Sequence, residues 1–237
     1  MKNRLYKHKT MIIVKHLILF LIVLVFQNTI LFSQIKNEKS KQYKLKNNFI
    51  IKTNPLTMIG GSIPLTSEFR IVFESAISRN QSLQIGASYL GKSPILYYYE
   101  KNDSSYIKNN IKFVVYGFRI QLSYKFYITN KLFNCYAPKG LYVSPLFSYS
   151  SANFTDKYNK TFNNYINATY INYNLIFGYQ NTIKDKFVYD LFAGGGYRQN
   201  KWYRHVSQSY KSLDDDGLYL LNRNLNIILG FNIGWMF

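Results

Sequence analysis

The segment that most constrains this chain is its last, residues 225–237 (LNIILGFNIGWMF). Side chains of an extended strand alternate faces with a period of two. Leu225, Ile227, Leu229, Phe231, Ile233, Trp235 and Phe237 therefore form one unbroken apolar face, and Asn226, Ile228, Gly230, Asn232, Gly234 and Met236 form a mostly small or polar one. A water-soluble protein rarely leaves such a strand at an edge, because an exposed apolar edge recruits other chains. A transmembrane β-barrel requires this pattern, with lipid against one face and a polar lumen against the other.

The same parity recurs upstream. In 67–77 Phe69, Ile71, Phe73 and Ile77 alternate with Glu68, Arg70 and Glu74, and in 82–90 Leu83, Ile85, Ala87 and Tyr89 alternate with Ser82, Gln84, Gly86 and Ser88. In 118–126 Phe118, Ile120, Leu122, Tyr124 and Phe126 oppose Arg119, Gln121, Ser123 and Lys125. Segments 141–150, 169–180 and 187–198 follow suit, the last setting Phe187, Tyr189, Leu191 and Tyr197 against Asp190, Gly194, Gly196 and Arg198. Segment 49–59 is weaker: Phe49 and Ile51 oppose Lys52 and Asn54, but Pro55 removes a ladder donor. With the terminal segment these make eight strands, the smallest usual number for a bacterial membrane barrel.

Alternation alone does not say which face is outside, since a soluble lipocalin-like barrel alternates too. The composition of the polar face decides. It is mainly Ser, Asn, Gln and Gly, which suit a narrow interior, rather than the long Lys and Glu side chains of a water-facing exterior. Its few charges are of both signs, and the apolar face of these strands carries none. An Arg or Lys on a lipid-facing position at mid-bilayer costs about 2–4 kcal/mol. Glu68, Arg70, Glu74, Arg119, Lys125 and Asp190 are thus expected to point into the lumen and to pair there, because an unpaired buried charge is costly. Eight strands enclose an interior that side chains nearly fill, so a closed lumen is expected over a selective pore.

The amino-terminal 33 residues carry Lys2, Arg4, Lys7 and Lys9, then the apolar run 17–26 (LILFLIVLVF), then Leu31-Phe32-Ser33-Gln34. This is the layout of a secretory signal, with cleavage expected after Ser33. The run is shorter than the roughly 20 residues a membrane-spanning helix needs. Five of the 30 basic residues belong to this leader, leaving 25 against 11 acidic ones. The remaining excess is scattered, with no basic helix or motif to fit a nucleic-acid groove, so no nucleic-acid partner is expected. Anionic lipid headgroups or surface polysaccharide are the partners such a surface suits. Aromatic residues make up 18% of the chain, with 23 Tyr and 18 Phe; amphipathic Tyr suits the aromatic girdles of a membrane barrel.

Little here suggests catalysis. After the leader His205 is the one remaining histidine, near Ser207 and upstream of Asp214, Asp215 and Asp216, in what the spacing marks as an external loop. Nucleophilic catalysis needs a base held within hydrogen-bond reach, which a loop does not supply. The Asp run lacks the ligand spacing of a calcium loop. Gly194-Gly195-Gly196 follows a strand with no helix after it, which marks close packing or a bend rather than a phosphate-binding loop. No enzyme activity, cofactor or metal site is expected. The single Cys135 has no partner for an internal disulfide.

Several stretches resemble the outer-membrane β-barrel domain proteins of Gram-negative bacteria: Lys52-Thr53-Asn54-Pro55-Leu56, Thr66-Ser67-Glu68-Phe69-Arg70, Gly91-Lys92-Ser93-Pro94, Ala137-Pro138-Lys139-Gly140-Leu141-Tyr142, and the Phe237 terminus. The resemblance spans roughly 49–237. It implies an outer-membrane location and, through Phe231, Ile233, Trp235 and Phe237, recognition by the barrel-assembly machinery, although such signals commonly have Gly where this chain has Asn232. The resulting expectation is an all-β protein: a signal peptide (1–33), a short linker (34–48) and an eight-stranded antiparallel up-and-down transmembrane β-barrel (49–237). External connections are expected at 91–110, 151–168 and 199–222, with the first one short, and periplasmic ones at 78–81, 127–140 and 181–186. Its function is expected to be structural or surface-interacting, with a small porin-like channel or a lipid-modifying enzyme as alternatives.

Overall fold

The computed structural model describes residues 49–103, 112–128, 137–157, 165–206, 209–212 and 224–237; the expected signal peptide and linker, Cys135, Ser207 and the Asp214–Asp216 run lie outside them. The strands are β1 (Phe49–Thr53), β2 (Thr66–Ser78), β3 (Gln81–Lys92), β4 (Phe113–Tyr127), β5 (Gly140–Asp156), β6 (Tyr165–Ile183), β7 (Phe187–Val206), β8 (Ser209–Ser212) and β9 (Leu225–Met236). Each pairs antiparallel with its neighbour in the chain from β1 to β7. β9 then pairs with β7 on one side and β1 on the other, which closes an up-and-down barrel of eight strands. Closure gives ladder partners to strands that would otherwise present open edges. Among the described residues β8 pairs with Tyr203–Val206 of β7 alone, forming a hairpin on the edge of β7 opposite β6.

One end of the barrel holds Phe49, Phe237, the turn at Arg79 and Asn80, and the turn at 184–186; Phe237 N donates to Phe49 O at 2.9 Å. The other end carries the connections 54–65, 93–112 and 157–164 and the β7–β8 hairpin. Two expectations about connections are corrected by the structure. Strands run further than alternation indicates: β5 continues to Asp156 and β6 begins at Tyr165, so the expected loop 151–168 shrinks, and β7 carries His205 within a strand. The outward positions there, Ser151, Asn153 and Thr155, are polar, so the apolar pattern stops, whereas backbone pairing needs no apolar residue; Asn167 Nδ2 donating to Asn153 Oδ1 at 2.7 Å extends it with polar side chains. The first connection is also longer than expected, because β1 ends at Thr53. Asn54 Oδ1 accepts from Leu56 N at 3.0 Å and caps a 3-10 turn, Pro55–Met58, whose first position suits proline's fixed φ.

The short helix α1 (Pro94–Asn102) starts by the same device: Ser93 caps it and Pro94 occupies its first turn. Glu100 pairs with Lys92 and accepts from Phe113 N, which ties α1 to β3 and β4. Leu96 thereby packs with Ile63, Phe154, Tyr170 and Trp202 in a buried apolar cluster across the connection-rich end. A second cluster, Tyr127, Ala137, Tyr142 and Ile176, is flanked by Leu146, Phe192 and Ile228.

Elsewhere the usual burial order is reversed. Lys52, Glu68, Glu74, Lys125 and Asp190 are each no more than 2% exposed, whereas Phe69, Ile85, Phe118, Phe177 and Leu229 are 51–79% exposed. Outward aromatics pack along the wall, Phe147 on its direct cross-strand partner Tyr173 with centroids 5.3 Å apart. The Gly194–Gly196 run lies inside β7, where a Cβ on Gly196 would strike the backbone of Tyr173 and Asn174. Gly196→Val is therefore expected to lower stability by about 1–3 kcal/mol, the usual range for overpacking. Gly60→Ala, at a position with nothing within 4 Å, should cost far less; urea unfolding of the folded protein in detergent would measure both.

Candidate functional site

The lumen is built by parity. Every second residue of each strand turns inward, and the antiparallel register stacks these residues into rows: Glu68 with Leu90, Arg70 with Ser88 and Arg119, Glu74 with Gln84, Gln180 with Asp190 and Asn232. Two charged groups result.

The first lies towards the end that holds Phe49 and Phe237. Lys52 Nζ forms an ion pair with Glu74 and reaches Gln84 Oε1, Gln180 Oε1 and Asp190 Oδ2, each at 2.9 Å. Lys125 Nζ reaches the same carboxylates, Glu74 Oε2 at 3.2 Å and Asp190 Oδ2 at 2.9 Å, donates to Gln180 Oε1 at 2.7 Å, and lies 4.1 Å from the centroid of the Tyr142 ring. Tyr127 OH and Ser82 Oγ donate to Glu74 Oε1 at 2.8 and 2.6 Å; Tyr142 OH donates to Asp190 Oδ1 at 2.6 Å and Asn232 Nδ2 to Asp190 Oδ2 at 3.1 Å. Gln180 Nε2 in turn donates to Pro138 O at 2.9 Å. Two ammonium groups and two carboxylates thus balance, and every carboxylate oxygen is hydrogen-bonded. Such a group, with its charges matched and its acceptors filled, is stable as a spacer and offers no free base or nucleophile.

The second group sits nearer the connection-rich end and is unbalanced. Glu68 Oε1 accepts from Arg70 Nε at 2.8 Å and Ser88 Oγ at 2.7 Å, and Arg119 Nη1 stands 3.8 Å from Glu68 Oε2. Arg198, half-buried, donates to Asn172 Oδ1 at 2.9 Å and to Asn226 Oδ1, and its guanidinium carbon stands 4.8 Å from the centroid of the Tyr170 ring. Between the two groups lies a cavity of about 190 Å³, reached by Arg70, Arg119, Arg198, Lys125 and Asp190.

All six lumen residues singled out from sequence are buried inside the barrel: Glu74, Lys125 and Asp190 meet in the first group, and Glu68, Arg70 and Arg119 meet in the second. Lys52 and Arg198 lie on the polar face of the pattern, but nothing in the pattern singles them out. Lys52 falls in the strand that Pro55 weakens, and no parity signal ranks one polar position above another. Phe231, Ile233, Trp235 and Phe237 fall on the opposite parity of β9 from buried Asn226 and Asn232, with Trp235 and Phe237 46% and 67% exposed. His205 stacks on Tyr165 with centroids 4.0 Å apart, a strand-pairing contact. Among the described residues no group of three His, Cys, Asp or Glu side chains is placed to hold a metal ion.

Removing one charge of the balanced group tests its role. Lys52→Met leaves two carboxylates facing one ammonium, and a loss of about 3–5 kcal/mol is expected for breaking a buried pair. The double substitution Lys52→Met with Asp190→Asn restores neutrality and should regain a large part of that loss in urea unfolding. Equal losses for the single and double variants would show that charge balance does not hold the group together.

No family model matches the chain, and no curated protein matches it. Among solved structures, the chain is similar to a major outer membrane protein from Thermus thermophilus, with 12% identity over 81% of this chain and 100% of that one and a TM-score of 0.42.

Proposed function

We propose that this protein is an integral outer-membrane barrel of a Gram-negative bacterium, exported through a cleaved signal peptide, and that it serves as a non-enzymatic structural or surface-interaction protein with a closed lumen. The observation that carries the reading is the inversion of burial: ion pairs line the inside while Phe69, Ile71, Ile120, Leu175, Phe177, Leu191, Ile227 and Leu229 face outward. In water such a surface would drive aggregation, and in lipid it is the stable arrangement. Its partners on this reading are outer-membrane lipid, the barrel-assembly machinery and, at the connection-rich end, anionic polysaccharide or headgroups. That end presents exposed Tyr97, Tyr98 and Tyr99 on α1, in a connection of the kind that carries recognition on a rigid scaffold.

Support for a closed lumen comes from the buried Leu96, Phe154 and Trp202 across one end and the charge-matched group across the lumen below it. In planar bilayers the protein is expected to give no stable single-channel steps; regular steps would favour the small-channel reading. Membrane fractionation with a heat-modifiability gel tests location and fold together, with a membrane-bound, shifting band expected. For the lipid-facing wall, Leu175→Arg on β6 should destabilise the folded form by about 2–4 kcal/mol in phospholipid vesicles. Tyr97→Arg on exposed α1 should change it by less than about 0.5 kcal/mol.

A further inference from the structure

The wall of the barrel is not uniform. β1 has 5 residues and β9 has 12, and their pairing ends at Thr53 and Ile233. Back from Asn232 to Leu225, β9 has β7 on one side and, among the described residues, no strand on the other; β2 from Thr66 to Ile71 likewise pairs only with β3. The connection 54–65 lies in this seam, its 3-10 turn near both β2 and β9, and it is tied to the β2 side, where Thr53 Oγ1 and Thr57 Oγ1 donate to Arg70 O at 2.7 Å and Glu68 O at 2.9 Å. The lumenal cavity extends to the β9 side of the seam, along Ile227–Leu229, and to Gly60–Ser62 of the connection. The rim there is apolar and exposed: Met58, Ile59, Leu225, Ile227 and Leu229.

Behind the rim stand three guanidinium groups and one carboxylate: Arg70 and Arg119 face Glu68, while Arg198 is held by Asn172 and Asn226 instead. Arg119 lies within electrostatic reach of both Arg70 and Arg198. Arg119 is 7% exposed, and its Nε has no hydrogen-bond partner among the described residues. An excess of buried positive charge with a donor left open is costly unless an anion completes it. Guanidinium groups suit phosphate and carboxylate oxygens, which their paired donors match. A cavity of about 190 Å³ accommodates such a group, being several times a single water's share of space, ~30 Å³.

We propose that the lumen binds the anionic head group of a membrane amphiphile, held by Arg70, Arg119 and Arg198, with its apolar chain leaving the barrel through the seam between β2 and β9. A free anion moving along the barrel axis meets the apolar cluster of Ile63, Leu96, Phe154 and Trp202 at one end and the filled, charge-matched group at the other. The route through the seam instead passes an apolar rim that a hydrocarbon chain would cover. The inference rests on the reading of the outer wall as lipid-facing.

The test uses the folded full-length barrel in a non-ionic detergent, with three probes: octyl phosphate, inorganic phosphate and octyl glucoside. Calorimetric titration and the shift in urea midpoint are read for the native protein and for Arg119→Gln, Arg119→Lys and Arg198→Gln. Saturable binding of octyl phosphate is expected, at least tenfold weaker in Arg119→Gln and Arg198→Gln and less reduced in Arg119→Lys. Inorganic phosphate should bind at least 100-fold more weakly and octyl glucoside not at all. Without probe, Arg119→Gln should unfold at a urea concentration equal to or above the native midpoint, because it removes an uncompensated charge; this readout confirms that the variant folds. Phosphate binding as tightly as octyl phosphate would overturn the seam route, and saturable binding of no probe would overturn the site. A barrel that stays soluble and folded without detergent would instead sink the lipid-facing reading, leaving the binding result to stand separately.

Discussion

The meeting of Lys52, Lys125, Glu74 and Asp190 is the interaction on which the rest of the barrel depends. With its hydrogen-bonding partners it draws at least one residue from each strand of the wall: Lys52 from β1, Glu74 from β2, Ser82 and Gln84 from β3, Lys125 and Tyr127 from β4, Tyr142 from β5, Gln180 from β6, Asp190 from β7 and Asn232 from β9. Charges in so confined a space are tolerable only when matched and fully hydrogen-bonded. A register slip of one residue in any strand would move its member to the outer face and leave the others unmatched. The group therefore constrains register around the whole circumference, a task the outward apolar face performs less well because one exposed Leu or Phe substitutes readily for another.

That dependence explains the distribution of other features. The lumen is filled where the group sits and hollow above it, where arginines replace lysines and acidic partners run short. Glycine in β7 allows the close approach of the β6 backbone at Tyr173 and Leu175. Gly140, at φ 115°, lets the chain enter β5 from the turn whose Pro138 carbonyl receives Gln180. The two caps, Asn54 before Pro55 and Ser93 before Pro94, end strands at chosen heights. Stopping β1 at Thr53 is what leaves the seam.

Much of this is readable from residue order, for a stated reason. Parity reports which face a strand residue takes, and six of the lumenal charges sit on a parity that is otherwise Ser, Asn, Gln and Gly. The eight strands follow from the same signal. Three things escape it. Strand length does, because Asn153 and Asn167 pair through polar groups outside the apolar pattern. The extent of β1 does, because Pro55 reads equally as an edge-strand residue or as the start of a turn. The prominence of Lys52 and Arg198 does, because parity gives direction without height along the barrel axis.

Residue order by itself determined the alternation, the strand count and the division of charged from apolar faces, since these depend only on the two-residue period of an extended chain. Tertiary structure decided which charges meet. Lys52 lies 138 positions from Asp190 in sequence, and their 2.9 Å contact exists only because closure brings the first and seventh strands to face one lumen. The separation of a balanced group from an arginine-rich one has the same origin: stagger between strands sets each residue's height, and height is a property of the closed sheet rather than of any strand within it.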